Sequence, residues 1–171
     1  MEAKLILITG GARAGKSAFA QEWAHALGDG KVSFIATAQA LDEEMSQRIE
    51  RHQGDRPAVW ETLEEPLEVP YALSLAQGGV VLLDCLTLWV SNLMHAGREV
   101  LPELENLLAI RAETQKVLLV VTNEVGMGIV PDNALARAYR DLLGAANRRL
   151  AEEADVVYLL VSGIPVKIKS P

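Results

Sequence analysis

The chain has 171 residues, half of them hydrophobic and 23% charged, with a formal net charge of −7. That length fits one domain with a real core, and the acidic balance excludes a general binder of nucleic acid or anionic membrane. A single cysteine, Cys85, excludes an intrachain disulfide or a cysteine metal cluster and points to a reducing, cytoplasmic setting. No apolar run reaches the ~18 residues of a membrane span, and the N-terminal run is too short for a secretory signal.

In chain order, "KLILITG" is the first apolar run, and it ends in glycines. A helix-length segment at 16–27 follows, then "KVSFIATA", then a second segment at 42–52. Next come a segment near 67–77, "GGVVLLDCL" with an acid near its end, and a segment at 86–95. The remainder runs as a segment at 101–113, "KVLLVVTNE", a long segment at 132–153, and "ADVVYLLVSG". The apolar runs are rich in Val, Ile and Leu without alternation, as in strands covered on both faces. The repeated strand–helix order predicts an α/β fold: a mostly parallel central sheet flanked by helices, with ligands at the carboxyl ends of the strands. The tail "SGIPVKIKSP" is expected to add a last strand at the sheet edge, because Pro165 has no amide to donate. The loop "EVGMGIVPDN" carries two glycines and a proline, and Asp132 or Asn133 is placed to cap the helix after it.

Residues 10–17, "GGARAGKS", satisfy G-x-x-x-x-G-K-[ST] between an expected strand and an expected helix. Gly10 and Gly15 permit a tight turn and close approach to an anion. The amides from Ala14 to Ser17 sit at the positive end of the helix dipole. Lys16 is suited to β- and γ-phosphates and the Ser17 hydroxyl to Mg²⁺. Arg13 either touches phosphate or lies exposed. Asp84 closes "VVLLD" as the acid of a Walker B strand would, holding Mg²⁺ directly or through water; the alternative is that it caps the next helix. Cys85 reads as a small buried residue.

"RIERHQGDRP" sets His52 among Arg48, Arg51 and Arg56. As a helix end this is an ordinary solvated cation cluster. As a site, the arginines favour neutral, nucleophilic imidazole and stabilise charge on a transferring phosphoryl group. Thr122, Asn123 and Glu124 face the phosphate site, line an acceptor pocket or form a satisfied turn. Arg137, Arg140 and Arg148 read as a solvated helix face.

Taken together, "ITGGARAGKS", "FIATAQALDEEMSQRIERHQGDRPAVWETLEEP", "LLDCLTLWVSNLM", "VVTNEVGMGIVP" and "ADVVYLLVSGIPVKIK" resemble the bifunctional adenosylcobinamide kinase / adenosylcobinamide-phosphate guanylyltransferase family of cobalamin biosynthesis. The resemblance covers nearly the whole chain and implies a three-layer, RecA-like P-loop NTPase fold in one domain, 1–171. It implies phosphorylation of the adenosylcobinamide hydroxyl by ATP or GTP, then transfer of GMP from GTP to adenosylcobinamide phosphate through a histidine adduct. That histidine corresponds to His52, in register with Arg56, Pro57 and Trp60; some relatives carry adjacent histidines where this chain has Arg51 and His52. Nucleotide contacts are implied at Gly10, Gly11, Ala12, Arg13, Ala14, Gly15, Lys16 and Ser17, at Ala36, Thr37 and Ala38, at Gln53, Gly54, Asp55 and Arg56, and at Glu64. Asp84 and Ser17 correspond to the Mg²⁺ residues. A homo-oligomer, often a trimer, is implied, with no nucleic-acid partner. The rival readings are a plain P-loop kinase with a structural His52 and a regulatory nucleotide-binding ATPase.

Overall fold

Alternation of side chains along buried strands divides this structure into two cores. The computed structural model describes residues 4–40, 43, 46, 47, 54 and 57–171. Its elements run β1 (Leu5–Gly10), α1 (Lys16–Leu27), β2 (Val32–Ala36), β3 (Glu61–Glu64), α2 (Val69–Leu75) and β4 (Val80–Asp84), followed by α3 (Leu86–His95), α4 (Val100–Thr114), β5 (Val117–Val121), α5 (Ala134–Glu153), β6 (Val156–Val161) and β7 (Ile164–Lys169). The seven strands form one sheet in the order β3-β2-β4-β5-β1-β6-β7. All neighbours pair in parallel except β6 and β7, which are antiparallel.

Along β1, Ile6 and Ile8 point to one face and Leu5 and Leu7 to the other. The first face is covered by α1, whose Ala20 and Ala24 present no bulk and so let the helix lie close on the strands. Phe19 and Trp23 of α1 meet Tyr158 of β6 with ring centroids 5.1 Å apart in each case. The second face is covered by α2 to α5, with Leu73, Trp89, Leu104 and Leu143 fully buried among the strand residues. The Trp89 indole N–H, which burial would otherwise strand, donates to the Leu67 carbonyl at 2.8 Å. Two covered faces explain why the strand runs read as continuous apolar segments.

The expected helices at 16–27 and 86–95 match α1 and α3, and the others shift by two residues or fewer at each end. Of the helix expected at 42–52, only Glu43, Ser46 and Gln47 are described, and all three are helical; the rest lies outside the described residues. The tail forms the antiparallel edge strand expected of it. A two-residue turn with positive φ at Ser162 (51°) and Gly163 (82°) joins β7 to β6, the combination that matches strand twist in a hairpin. The sequence reading missed β3. Its four residues, "ETLE", are half charged and too short for a periodic signal. Leu63 packs on the core while Glu61 accepts from Ser33 Oγ and the Gln77 amide, so the edge is both paired and charged.

The long helix α5 is capped by Asn133, whose Oδ1 accepts from the amides of Leu135 (2.8 Å) and Ala136 (3.1 Å). Its far end is tied to the start of β1 by the Asp155 amide on the Leu5 carbonyl at 2.9 Å. Midway, Asn147 bridges the carboxyl end of β5, accepting from Thr122 Oγ1 at 2.7 Å and donating to the Asn123 carbonyl at 3.1 Å. Asn147→Ala leaves both groups without that partner and is expected to cost about 1–3 kcal/mol, read as a lower urea midpoint with an unchanged slope.

Candidate functional site: an anion loop at the carboxyl edge

Every parallel strand of the sheet ends at one edge, and the phosphate-type loop leaves it from the centre, between β5 and β6. Gly10 has φ of +149°, and a Cβ there would stand 2.5 Å from the Leu160 carbonyl oxygen of β6. Gly15 has φ of +89° and is the residue before α1. The loop is closed by the Ala14 amide on the Gly11 carbonyl at 3.3 Å and braced from outside by the Gly163 amide on the Ala14 carbonyl at 3.0 Å. This brace from the β6–β7 turn is a tertiary contact that no motif announces. Arg13 takes φ of 58° and is exposed, so its side chain is available at the loop rim.

Lys16 is 7% exposed, and its ammonium donates to the Gly11 carbonyl at 2.5 Å, which holds the charge inside the loop. Burial pushes its pKa below the ordinary lysine value, while Cys85 and Asp84 pull it back. Cys85 is itself pushed up to about 11, by burial first and by Asp84 second. A thiol with that value is neutral near pH 7, so Asp84 is the anion that balances Lys16 there, and Cys85 is no nucleophile.

Asp84 ends β4, two strands from β1 and so about 10 Å across the sheet. The N-cap position of α3 is Cys85, one residue after Asp84, and the Cys85 side chain makes no cap bond. Among the described residues no three His, Cys, Asp or Glu side chains group into a metal cage. One carboxylate and the Ser17 hydroxyl suit an ion that takes most of its ligands from phosphate and water, as Mg²⁺ does.

Thr37 is fully buried and its hydroxyl is committed: it donates to the Cys85 carbonyl at 2.8 Å and accepts from the Cys85 amide at 3.0 Å. The Thr37 carbonyl takes the Asn92 amide group at 2.8 Å. Thr37 therefore clasps the ends of β2 and β4, and beside it the Ala36 carbonyl accepts from the Glu65 amide at 2.9 Å. Glu64 ends β3 in register with Ala36, four strands and about 19 Å from β1.

The segment after β5 is docked on the loop. The Glu124 amide donates to the Gly10 carbonyl at 3.0 Å, the Asn123 amide to Thr87 Oγ1 at 2.8 Å, and the Thr122 amide to the Ile8 carbonyl at 2.9 Å. The segment forms a satisfied turn, in which Glu124 Oε1 accepts from the Gly126 amide at 2.8 Å. Thr122 is spent on Asn147, whereas Glu124 stands beside the first glycine of the loop. Arg137 donates to the carbonyls of Pro131 and Asp132, Arg140 pairs with Asp141, and Arg148 with Glu152, so these arginines are engaged locally. His52, Gln53, Asp55 and Arg56 lie outside the described residues, as do Arg48 and Arg51; Gly54 is described, exposed, with open space around its Cα. Trp60, beyond that stretch, is buried against α1 and stacks on His25 at 6.4 Å.

The loop glycines are not equivalent. Gly10→Ala places a methyl group against backbone and is expected to lower stability by about 2 kcal/mol or more. Gly11 has nothing within 4 Å of a Cβ, and Gly11→Ala should stay within about 0.5 kcal/mol of the parent. Paired thermal melts of the two variants check this.

Comparison with known proteins agrees with the geometry. The family model described as "Cobinamide kinase / cobinamide phosphate guanyltransferase" matches residues 6–168. The "Bifunctional adenosylcobalamin biosynthesis protein CobU" of Salmonella typhimurium is 44% identical over 96% of this chain and 99% of its own. The "Bifunctional adenosylcobalamin biosynthesis protein CobP" of Pseudomonas aeruginosa is 44% identical over 95% of this chain and 96% of its own. Among solved structures, the flagellar accessory protein FlaH from Methanocaldococcus jannaschii superposes with a TM-score of 0.56 at 13% identity, over 98% of this chain and 78% of that one. A second solved structure, that of an ATPase domain, gives 0.53 at 15% identity, over 92% and 69%. These two share only the fold, that of the P-loop NTPases. With its sheet order, its loop and these full-length matches, the chain belongs to the cobinamide kinase / cobinamide phosphate guanyltransferase family.

Proposed function

We propose that residues 1–171 act as one transferase unit with two reactions at the carboxyl edge. The first phosphorylates the aminopropanol hydroxyl of adenosylcobinamide with ATP or GTP. The second transfers GMP from GTP to the resulting phosphate, giving adenosylcobinamide-GDP and pyrophosphate. The observation that carries this reading is Lys16: a buried ammonium held in a glycine loop, with Asp84 as its balancing anion.

In the kinase step the loop amides and Lys16 bind the donor phosphates. The substrate hydroxyl attacks the γ-phosphorus, the bond to the β-bridging oxygen breaks, and Lys16 offsets the charge that develops there. Ser17 and Asp84 are the residues that would hold Mg²⁺, which when bound supplies further charge neutralisation. For the proton leaving the hydroxyl, Glu124 is better placed than Glu64. Its amide is docked on Gly10, whereas Glu64 lies about 19 Å across the sheet. Glu64, Ala36 and Ala38 suit the nucleoside end of a nucleotide stretched along the edge.

In the guanylyl step His52 attacks the α-phosphorus of GTP, pyrophosphate leaves, and a phosphoramidate forms. The cobinamide phosphate oxygen then attacks phosphorus and releases the imidazole. Gln53, Gly54, Asp55 and Arg56 contact the nucleotide in this reading. The protein works as a homo-oligomer, a trimer by resemblance to its family, in the cytoplasm. The described helices include none long and apolar enough to cross a membrane.

Incubation with GTP labelled at the α-phosphate tests the adduct. The parent protein is expected to retain acid-labile, base-stable label, and His52→Ala to retain none while still phosphorylating adenosylcobinamide. Label surviving in His52→Ala would remove His52 from the role. Lys16→Ala is expected to lower both reactions by about 10²-fold or more, measured as kcat/KM for each.

A further inference from the structure

Helix α5 is longer than the sheet is deep. It rises from the amino edge, where Asp155 meets Leu5, to the carboxyl edge, where Asn147 meets Thr122 and Asn123. Nine residues, Ala134 to Leu142, precede the first fully buried one, Leu143, so the helix extends about 14 Å beyond its core-packed part. Helix α3 lies beside it in the opposite sense. Thr87 at the start of α3 accepts from Tyr139 at its carbonyl (3.1 Å), and Met94 and His95 at its end share a groove with Leu135, Ala136 and Tyr139. The groove measures about 320 Å³ and is mostly apolar in its lining.

The loop that leads from the phosphate site to this overhang is unusually apolar for exposed chain. Met127 is 86% exposed, Ile129 98% and Val130 61%, and Leu135 at the groove mouth is 59% exposed. Four large apolar side chains exposed within nine residues of chain are the composition of a binding surface. It is continuous with the nucleotide edge, because the same loop begins at Glu124, bonded to Gly10. From Val117 to Ala136 the chain has no lysine or arginine, only Glu124 and Asp132; Arg137 folds onto the Pro131 and Asp132 carbonyls.

We infer that this overhang, the groove between α3 and α5 with the Val125–Val130 loop, is the docking surface for the corrin ring of the substrate. The inference rests on the enzymatic reading above. A corrin is a broad, largely apolar macrocycle with neutral amide arms and a cationic cobalt centre. It needs apolar contact and few opposing cations: Met127, Ile129, Val130 and Leu135 supply the first, and residues 117–136 hold no lysine or arginine. Its reactive hydroxyl sits at the end of a flexible amide-linked arm. A ring held up the overhang lets that arm reach down to Glu124 and the phosphate loop. The groove takes one edge of the ring, and the exposed loop covers part of a face.

The test uses the full chain and two exposed substitutions, Leu135→Asp and Met127→Asp. An acid at 135 lies in the first turn of α5, where the helix dipole favours it, and position 127 is in open loop, so at least one variant folds. In ATP-dependent phosphorylation the KM for adenosylcobinamide is expected to rise by about tenfold or more in each folded variant. The KM for ATP and kcat are expected to stay within twofold, and the mass in sedimentation equilibrium to stay unchanged. Adenosylcobinamide without nucleotide should also slow amide hydrogen exchange over 125–137 in the parent. Unchanged KM in both variants overturns the docking surface while leaving the enzymatic reading intact. A fall in oligomeric mass with unchanged KM overturns it in favour of an interface between copies. A parent protein with no cobinamide-dependent turnover removes the enzymatic reading, and this inference with it.

Discussion

A contact too close for a side chain governs the working edge of this protein. Gly10 lies against the Leu160 carbonyl, at a separation that leaves no space for a Cβ. The chain can therefore leave β1 in a direction other residues cannot take, and the loop closes between β5 and β6. From that exit follow the capture of Lys16 by the Gly11 carbonyl and the docking of Glu124 on Gly10. The brace from Gly163 to Ala14 follows as well. A helix dipole then points at the enclosed space, and the amides of the first turn have no earlier carbonyl to bond.

The electrostatics of the edge are local. The chain is acidic overall, at −7, yet the loop concentrates a buried ammonium with a single carboxylate at a distance of two strands. Burial lowers the Lys16 pKa, and the charge of Asp84 counters part of that shift. Strand ends hold this geometry through polar groups that look functional in sequence but serve the frame. Thr37 spends its hydroxyl on Cys85, Thr122 spends its own on Asn147, and Asn92 ties the loops after β2 and β3. The same holds for Glu124, whose carboxylate accepts from the Gly126 amide, and for the Ala36 carbonyl, which accepts from Glu65.

The two ends of α5 divide labour. Its last turns pack Leu143, Ala146 and Leu150 into the core and anchor the helix to β1. Its first turns, Ala134 to Leu142, hold no fully buried residue and leave Leu135 59% exposed. A rigid helix is a cheap way to position a surface far from the sheet, since each residue adds about 1.5 Å without further loop entropy.

The sequence by itself determined most of the architecture. Continuous Val, Ile and Leu runs specified strands buried on both faces. A glycine loop between strand and helix specified the anion site, and Pro165 assigned the tail to an edge, because each of these depends on local backbone chemistry. Strand β3 escaped notice because four half-charged residues carry no period, and they become a strand only through pairing with β2. Only the tertiary structure decided which polar residues serve the frame and which face the site. Hydroxyl and amide groups satisfy whatever lies nearest in space, and Thr37 with Cys85, Thr122 with Asn147 and Ala14 with Gly163 are all far apart in the chain. The same holds for the overhang of α5. Its 20 helical residues are legible from their pattern, but which of them pack into the core, from Leu143 onward, is a property of the assembled fold.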